Sequence, residues 1–157
     1  MNTIELIDRL EQDKSLQKEE WIHVIEDGSE ENRKYAAEKA RALGDTYYGK
    51  EIFVRGLIEF TNYCKNDCYY CGIRCSNKKA NRYRLSEEDI LACCEEGDRL
   101  GFRTFVLQGG EDPYYTDDKI VDIVREIKRR YPEHAVTLSI GERERESYER
   151  FFAAGAD

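Results

Sequence analysis

Cys64, Cys68 and Cys71 lie in the run Cys-Lys-Asn-Asp-Cys-Tyr-Tyr-Cys-Gly, a C-x3-C-x2-C spacing with an aromatic residue just before the third thiol. Three thiolates on one short loop can hold three corners of an iron–sulfur cube. The fourth iron then has no protein ligand, whereas a cluster used only for electron transfer normally has four. An open iron is a place for a small molecule to bind. The same run admits a zinc site, since Cys75 extends it to C-x3-C-x2-C-x3-C and closed zinc sites take four ligands. Three unrelated thiols are the third reading. The position directly after a strand and the aromatic before the last Cys favour the cluster.

A second group is Gly109-Gly110-Glu111. Two glycines let backbone approach a ligand closely, and Glu111 adds a carboxylate. Alone, such a run is commonly a turn. One strand after a cysteine triad, it gains weight. A third candidate is Ser139, in Ala-Val-Thr-Leu-Ser-Ile-Gly-Glu, where Val136, Leu138 and Ile140 alternate with Thr137 and Ser139. A hydroxyl bonded to neighbouring backbone explains Ser139 equally well. Glu142 is a weaker candidate. Cys93 and Cys94 read as small core residues of a helix. Arg82 and Arg84 read as solvated before they read as meeting an anion, and His23 and His134 as structural. Arg55 and Glu59 share one strand face and either pair there or line a cavity.

These residues need a scaffold. Residues 1–50 read as a helical preface. Asn2 and Glu5 form a capping box, a second helix runs through Trp21 and Ile25 towards Gly28, and Ser29 caps a third that ends at Gly44. The period then changes. Strands are expected over 52–60, 104–107 and 135–140, and helices start at Ser86, before Ile120 and at Glu146. Alternating strand and helix means parallel strands with helical crossovers. The candidate residues fall at carboxyl ends of successive strands, where βα barrels keep their chemistry. A doubly wound sheet also binds ligands at that end. The barrel is preferred: an α/β chain with helices first, then about three βα units over 51–157. Three units cannot close eight strands. The expectation is therefore the N-terminal part of an incomplete TIM-type barrel.

The 157 residues carry 25 Lys and Arg against 33 Asp and Glu, a net charge of −8. That balance argues against gripping nucleic acid through a basic face. A hydrophobic fraction of 40% supports a core, while no apolar run approaches a membrane span. A cytoplasmic setting is expected, where six cysteines point to metal or reactive thiols before disulfides.

Cys64-x3-Cys68-x-Tyr70-Cys71 resembles the signature of the radical S-adenosylmethionine (SAM) superfamily. The resemblance implies an enzyme with a 4Fe–4S cluster on Cys64, Cys68 and Cys71. SAM would chelate the open iron, and one electron would split it to a 5′-deoxyadenosyl radical that removes hydrogen from a small-molecule substrate. It implies that Tyr70 packs beside the adenine and that Gly109, Gly110 and Glu111 bind the SAM amino group. The wider run from Gly56 to Arg74, then Asn-Arg-Tyr-Arg-Leu-Ser and Leu-Gln-Gly-Gly-Glu-Asp-Pro-Tyr-Tyr, is similar to HydE-type maturases of [FeFe]-hydrogenase. Biotin synthase and methylornithine synthase are related alternatives. The maturase reading implies a low-potential electron donor, other hydrogenase maturation proteins as partners, and a substrate cavity beside Ser139. Outside this class stand a zinc-binding interaction module and an inactive fragment.

Overall fold

A computed structural model describes residues 1–157, which divide into two compact units, Met1–Ile52 and Phe53–Asp157. The first holds three helices, α1 (Thr3–Asp13), α2 (Lys18–Glu26) and α3 (Glu30–Tyr48). Asn2 and Glu5 cap α1 reciprocally as expected, and Ser29 caps α3 through the Asn32 N–H. The three are tied by side chains: Tyr35 donates to Asp8 at 2.6 Å, Lys39 pairs with Glu11 at 2.8 Å, and Arg9 pairs with Glu20. The expected stop at Gly44 is wrong. The helix runs on to Tyr48 and ends at Gly49, whose φ of 60° is the left-handed geometry a glycine adopts freely. An interior glycine costs a helix only about 1 kcal/mol, too little to end it.

The second unit alternates β1 (Gly56–Thr61), α4 (Glu87–Arg99), β2 (Thr104–Gly109), α5 (Asp117–Arg130), β3 (Ala135–Ser139) and α6 (Arg145–Ala154). The strands form one parallel sheet in the order β1-β2-β3. The expected strand over 52–60 begins late. Its ladder starts at Gly56 opposite Phe105, and β-type residues without a ladder do not make a strand. Sequence-adjacent strands in parallel require the helical crossovers that α4 and α5 provide.

The sheet buries one face. Ile58 and Phe60, Phe105 and Leu107, and Val136 pack against Ile90, Cys94, Ile120, Val124, Ile127 and Phe151. In α5 the stripe of Ile120, Val124 and Ile127 is fully buried, as its 3.6-residue spacing predicts. The last residues lie along β3: the Asp157 N–H donates to the Val136 carbonyl at 2.9 Å. No helix is long and apolar enough to cross a membrane.

Candidate functional site

All three strands point their carboxyl ends the same way, so the segments that follow them gather at one end of the sheet. The longest is the connection of residues 62–85 between β1 and α4, which contains no helix and no ladder beyond a single Thr61–Arg84 bridge. It carries Cys64 and Cys71, half-buried, and Cys68 and Cys75, exposed, all four free thiols. A turn closes between the Cys71 N–H and the Cys68 carbonyl at 3.0 Å.

Backbone carbonyls without a ladder need other donors, and here one side chain supplies several. Arg82 donates to the carbonyls of Asn62, Ile73 (2.8 Å), Arg74 (2.7 Å) and Asn77 (3.3 Å). Arg82 is therefore no solvated surface residue, contrary to expectation. Asn62 adds two further bonds across the loop, to the Asn81 carbonyl and from the Tyr83 N–H. Tyr70 is 94% exposed, so its ring stands in solvent beside Cys71, and its neighbour Tyr69 is equally bare.

The turn after β2 packs directly against this loop. A Cβ on Gly110 would fall on the Tyr63 carbonyl and lie 2.8 Å from the Cys64 Cβ; one on Gly109 would lie 2.7 Å from the Thr61 methyl. Only glycine fits at either place. The Lys65 N–H donates to the Glu111 carbonyl at 3.0 Å, a backbone bond between the residue after Cys64 and the last residue of Gly-Gly-Glu. The Glu111 carboxylate meets the Lys65 ammonium at 3.0 Å and the Asn66 amide at 2.6 Å. Lys65 foremost holds its carboxyl below the usual range, outweighing the effect of burial, and Asn66 and the Glu142 N–H act in the same sense.

Gly141, a residue the sequence reading passed over, completes this arrangement. It sits at φ +80°, and the Glu111 side chain lies where its Cβ would be. Glu111, Glu142, Lys65, Arg143, Asp117 and Ser147 line a polar cleft of about 340 Å³.

Next in sequence, Asp112 is 2% exposed. Arg84 grips its carboxylate through two bonds, Nε to Oδ2 at 2.6 Å and Nη2 to Oδ1 at 2.8 Å. Arg84 too is thus paired rather than solvated. A buried carboxylate needs a compensating cation, and a guanidinium matches it in shape as well as charge. Nothing in the local spacing links residues 84 and 112, which is why sequence reasoning missed the pair.

Ser139 is exposed on the sheet face opposite the core. It stands in register with Gln108, which stands in register with Glu59, and all three are exposed. A polar row therefore crosses the sheet just below the loops. Arg55 lies ahead of β1, outside that row. Of the two helical cysteines only Cys94 is in the core; Cys93 is exposed, because adjacent helix residues point about 100° apart. Burial pushes the Cys94 thiol up to about 12. His134 is buried, stacks on Phe105 and meets Asp98 at 3.0 Å, a structural role as expected.

The family model of the Radical SAM superfamily matches residues 58–157. The chain is 50% identical over 111 residues to the [FeFe] hydrogenase maturase subunit HydE of Thermotoga maritima, covering 71% of this chain and 31% of that protein. It is 41% identical over 91 residues to the 3-methylornithine synthase of Methanosarcina acetivorans, covering 57% and 26%. The chain thus spans less than a third of the length of either relative. The solved structure of methylornithine synthase (PylB) superposes with a TM-score of 0.77 at 29% identity, over 97% of this chain and 45% of that one. The match takes in the sheet, the loop that carries Cys64, Cys68 and Cys71 and the glycine turn packed against it: the chain belongs to the radical SAM superfamily.

Proposed function

We propose that this chain is the N-terminal part of a radical SAM enzyme of the HydE type, acting in maturation of the [FeFe]-hydrogenase cofactor. Residues 1–50 are its helical preface, and 51–157 supply three βα units of a TIM-type barrel. Cys64, Cys68 and Cys71 hold a 4Fe–4S cluster. Gly109, Gly110 and Glu111 take the amino group of SAM, and Tyr70 covers its adenine.

The donor set fits these groups. Cys64, Cys68 and Cys71 are unpaired thiols on one loop, the number that a cube with one open iron takes. The observation that carries the proposal is the backbone bond from Lys65 to Glu111, with Gly110 closed onto Tyr63 and Cys64. It brings an ammonium-binding carboxylate next to the thiol loop, and the Lys65 ammonium already on Glu111 has the charge of the expected ligand group. The chemistry supplied by cluster and SAM together is one-electron cleavage of a sulfonium to an organic radical. The chain's own residues bind and orient: Glu111 anchors the amino-acid end, and the glycines allow close approach. The row of Glu59, Gln108 and Ser139 offers polar contacts to a small-molecule substrate on the open sheet face.

A low-potential electron donor, other hydrogenase maturation proteins and a cytoplasmic setting belong to this reading. The identity to 3-methylornithine synthase keeps that activity as the second reading. The test is anaerobic reconstitution with iron and sulfide, then EPR of the reduced protein with and without SAM. A reduced 4Fe–4S signal that changes on adding SAM, and that is lost in Cys68→Ser but kept in Cys75→Ser, is expected. Zinc uptake that depends on Cys75 would overturn the proposal.

A further inference from the structure

We propose that Arg84 and Asp112 form a positioning pair that locks the cysteine loop to the Gly-Gly-Glu turn, and so sets where the Glu111 carboxylate stands relative to the three thiols. The inference rests on the site assignment above and adds to it two residues which that assignment does not use.

The bonds around Asp112 end on both segments. Arg84, at the exit of the cysteine loop, donates twice, and the Thr61 hydroxyl at the end of β1 donates to Oδ2 at 2.8 Å. That hydroxyl also accepts from the Tyr63 N–H at 3.2 Å, the residue before Cys64. The Tyr114 N–H, on the turn, donates to Oδ1 at 3.1 Å. Asp112 is thereby connected to the entrance of the loop, its exit and its own turn.

The guanidinium joins the same two segments through its face. Its central carbon lies 4.0 Å from the ring centroid of Tyr63 and 4.8 Å from that of Tyr114. One ring belongs to the cysteine loop and the other to the turn. A planar cation stacked on rings and forked onto a carboxylate has little freedom left. Lysine would keep the charge and lose both the fork and the plane. Replacing the carboxylate with an amide would take away the charge that the exposed Arg84 guanidinium pairs with and leave its fork a single acceptor oxygen.

A bond between the two segments matters to chemistry because a displacement of about 1 Å can cost on the order of a hundredfold in a reacting complex. Such a role differs from plain fold support: it predicts normal cluster uptake with a weakened response to SAM.

The experiment reconstitutes wild type, Arg84→Lys, Asp112→Asn and Thr61→Val, measures iron and sulfide per chain, and titrates SAM against the EPR change. Arg84→Lys and Asp112→Asn are expected to load the cluster as wild type does and to need roughly tenfold more SAM for half the change. Thr61→Val, which removes the hydroxyl's bonds to Asp112 and from the Tyr63 N–H and keeps the shape, needs roughly threefold more. A wild-type response in all three variants overturns the inference alone. Where the charged variants fail to fold or to load, Thr61→Val decides: a raised SAM requirement at full cluster content supports the pair, and an unchanged one overturns it. A wild-type chain that takes up no cluster or ignores SAM overturns the site assignment itself, and the pair's role with it.

Discussion

The two segments that meet at the candidate site are held in opposite ways. The cysteine loop is long, and its backbone has almost no ladder. Its order comes from side chains reaching inward, above all Arg82 on four carbonyls. The turn after β2 is short, and its close approach to the loop depends on the absence of side chains at two positions. Gly109 and Gly110 let it lie on Thr61, Tyr63 and Cys64 with no room to spare. On the proposed reading, the loop wraps around a cluster and the turn brings a carboxylate beside it. Strength at the first depends on hydrogen bonds, and at the second on shape.

Breaking the loop's anchor should have the largest effect. Arg82→Met removes a charged donor and strands carbonyls, a loss of about 3 kcal/mol. Reconstituted iron per chain is expected to fall with it. Retention of full iron content would show that the thiols organise without Arg82. Breaking the turn's fit comes next. Gly110→Ala forces the Tyr63 carbonyl aside at a cost of about 1–3 kcal/mol, visible as a lower melting temperature. In this variant cluster uptake should survive better than the EPR response to SAM, the reverse of the Arg82 case. Equal damage to both by either change would mean that the two segments are one unit.

The smallest effect sharpens the comparison through pH. Burial would raise the Asp112 carboxyl, but bonds from Arg84, Thr61 and Tyr114 outweigh it and hold the group below its usual value. An unfolded aspartate titrates near about 3.9. The pair's contribution is therefore complete above that value and is lost as pH falls through the lower folded one. Urea midpoints measured between pH 6 and pH 3 should fall more steeply for wild type than for Asp112→Asn. Parallel curves would mean that Asp112 gains nothing from ionisation in the folded chain.

Much of this was legible along the chain. Capping residues at Asn2, Ser29 and Ser86, the α5 stripe and the alternation of β3 are local signals, and each produced the expected element. The thiol spacing and the Gly-Gly-Glu run are short motifs within one loop or turn, so they too could be read in place. Errors arose where neighbours decide. Gly44 was absorbed because the flanking helix outweighed it, and residues 52–55 stayed out of the sheet because β2 has no partners for them. Cys93 and Cys94, alike in sequence, part ways on a helix.

The sequence by itself determined the thiols, the glycines and the carboxylate, because residue type and spacing within a short motif are written along the chain. Only the tertiary structure decided that Arg82 serves carbonyls from four residues, that Arg84 meets Asp112 across 28 positions, and that Gly141 leaves room for Glu111. Those partners lie far apart along the chain. Parallel pairing of the strands gathers their carboxyl ends together, and no local pattern encodes which groups then fall within bonding distance.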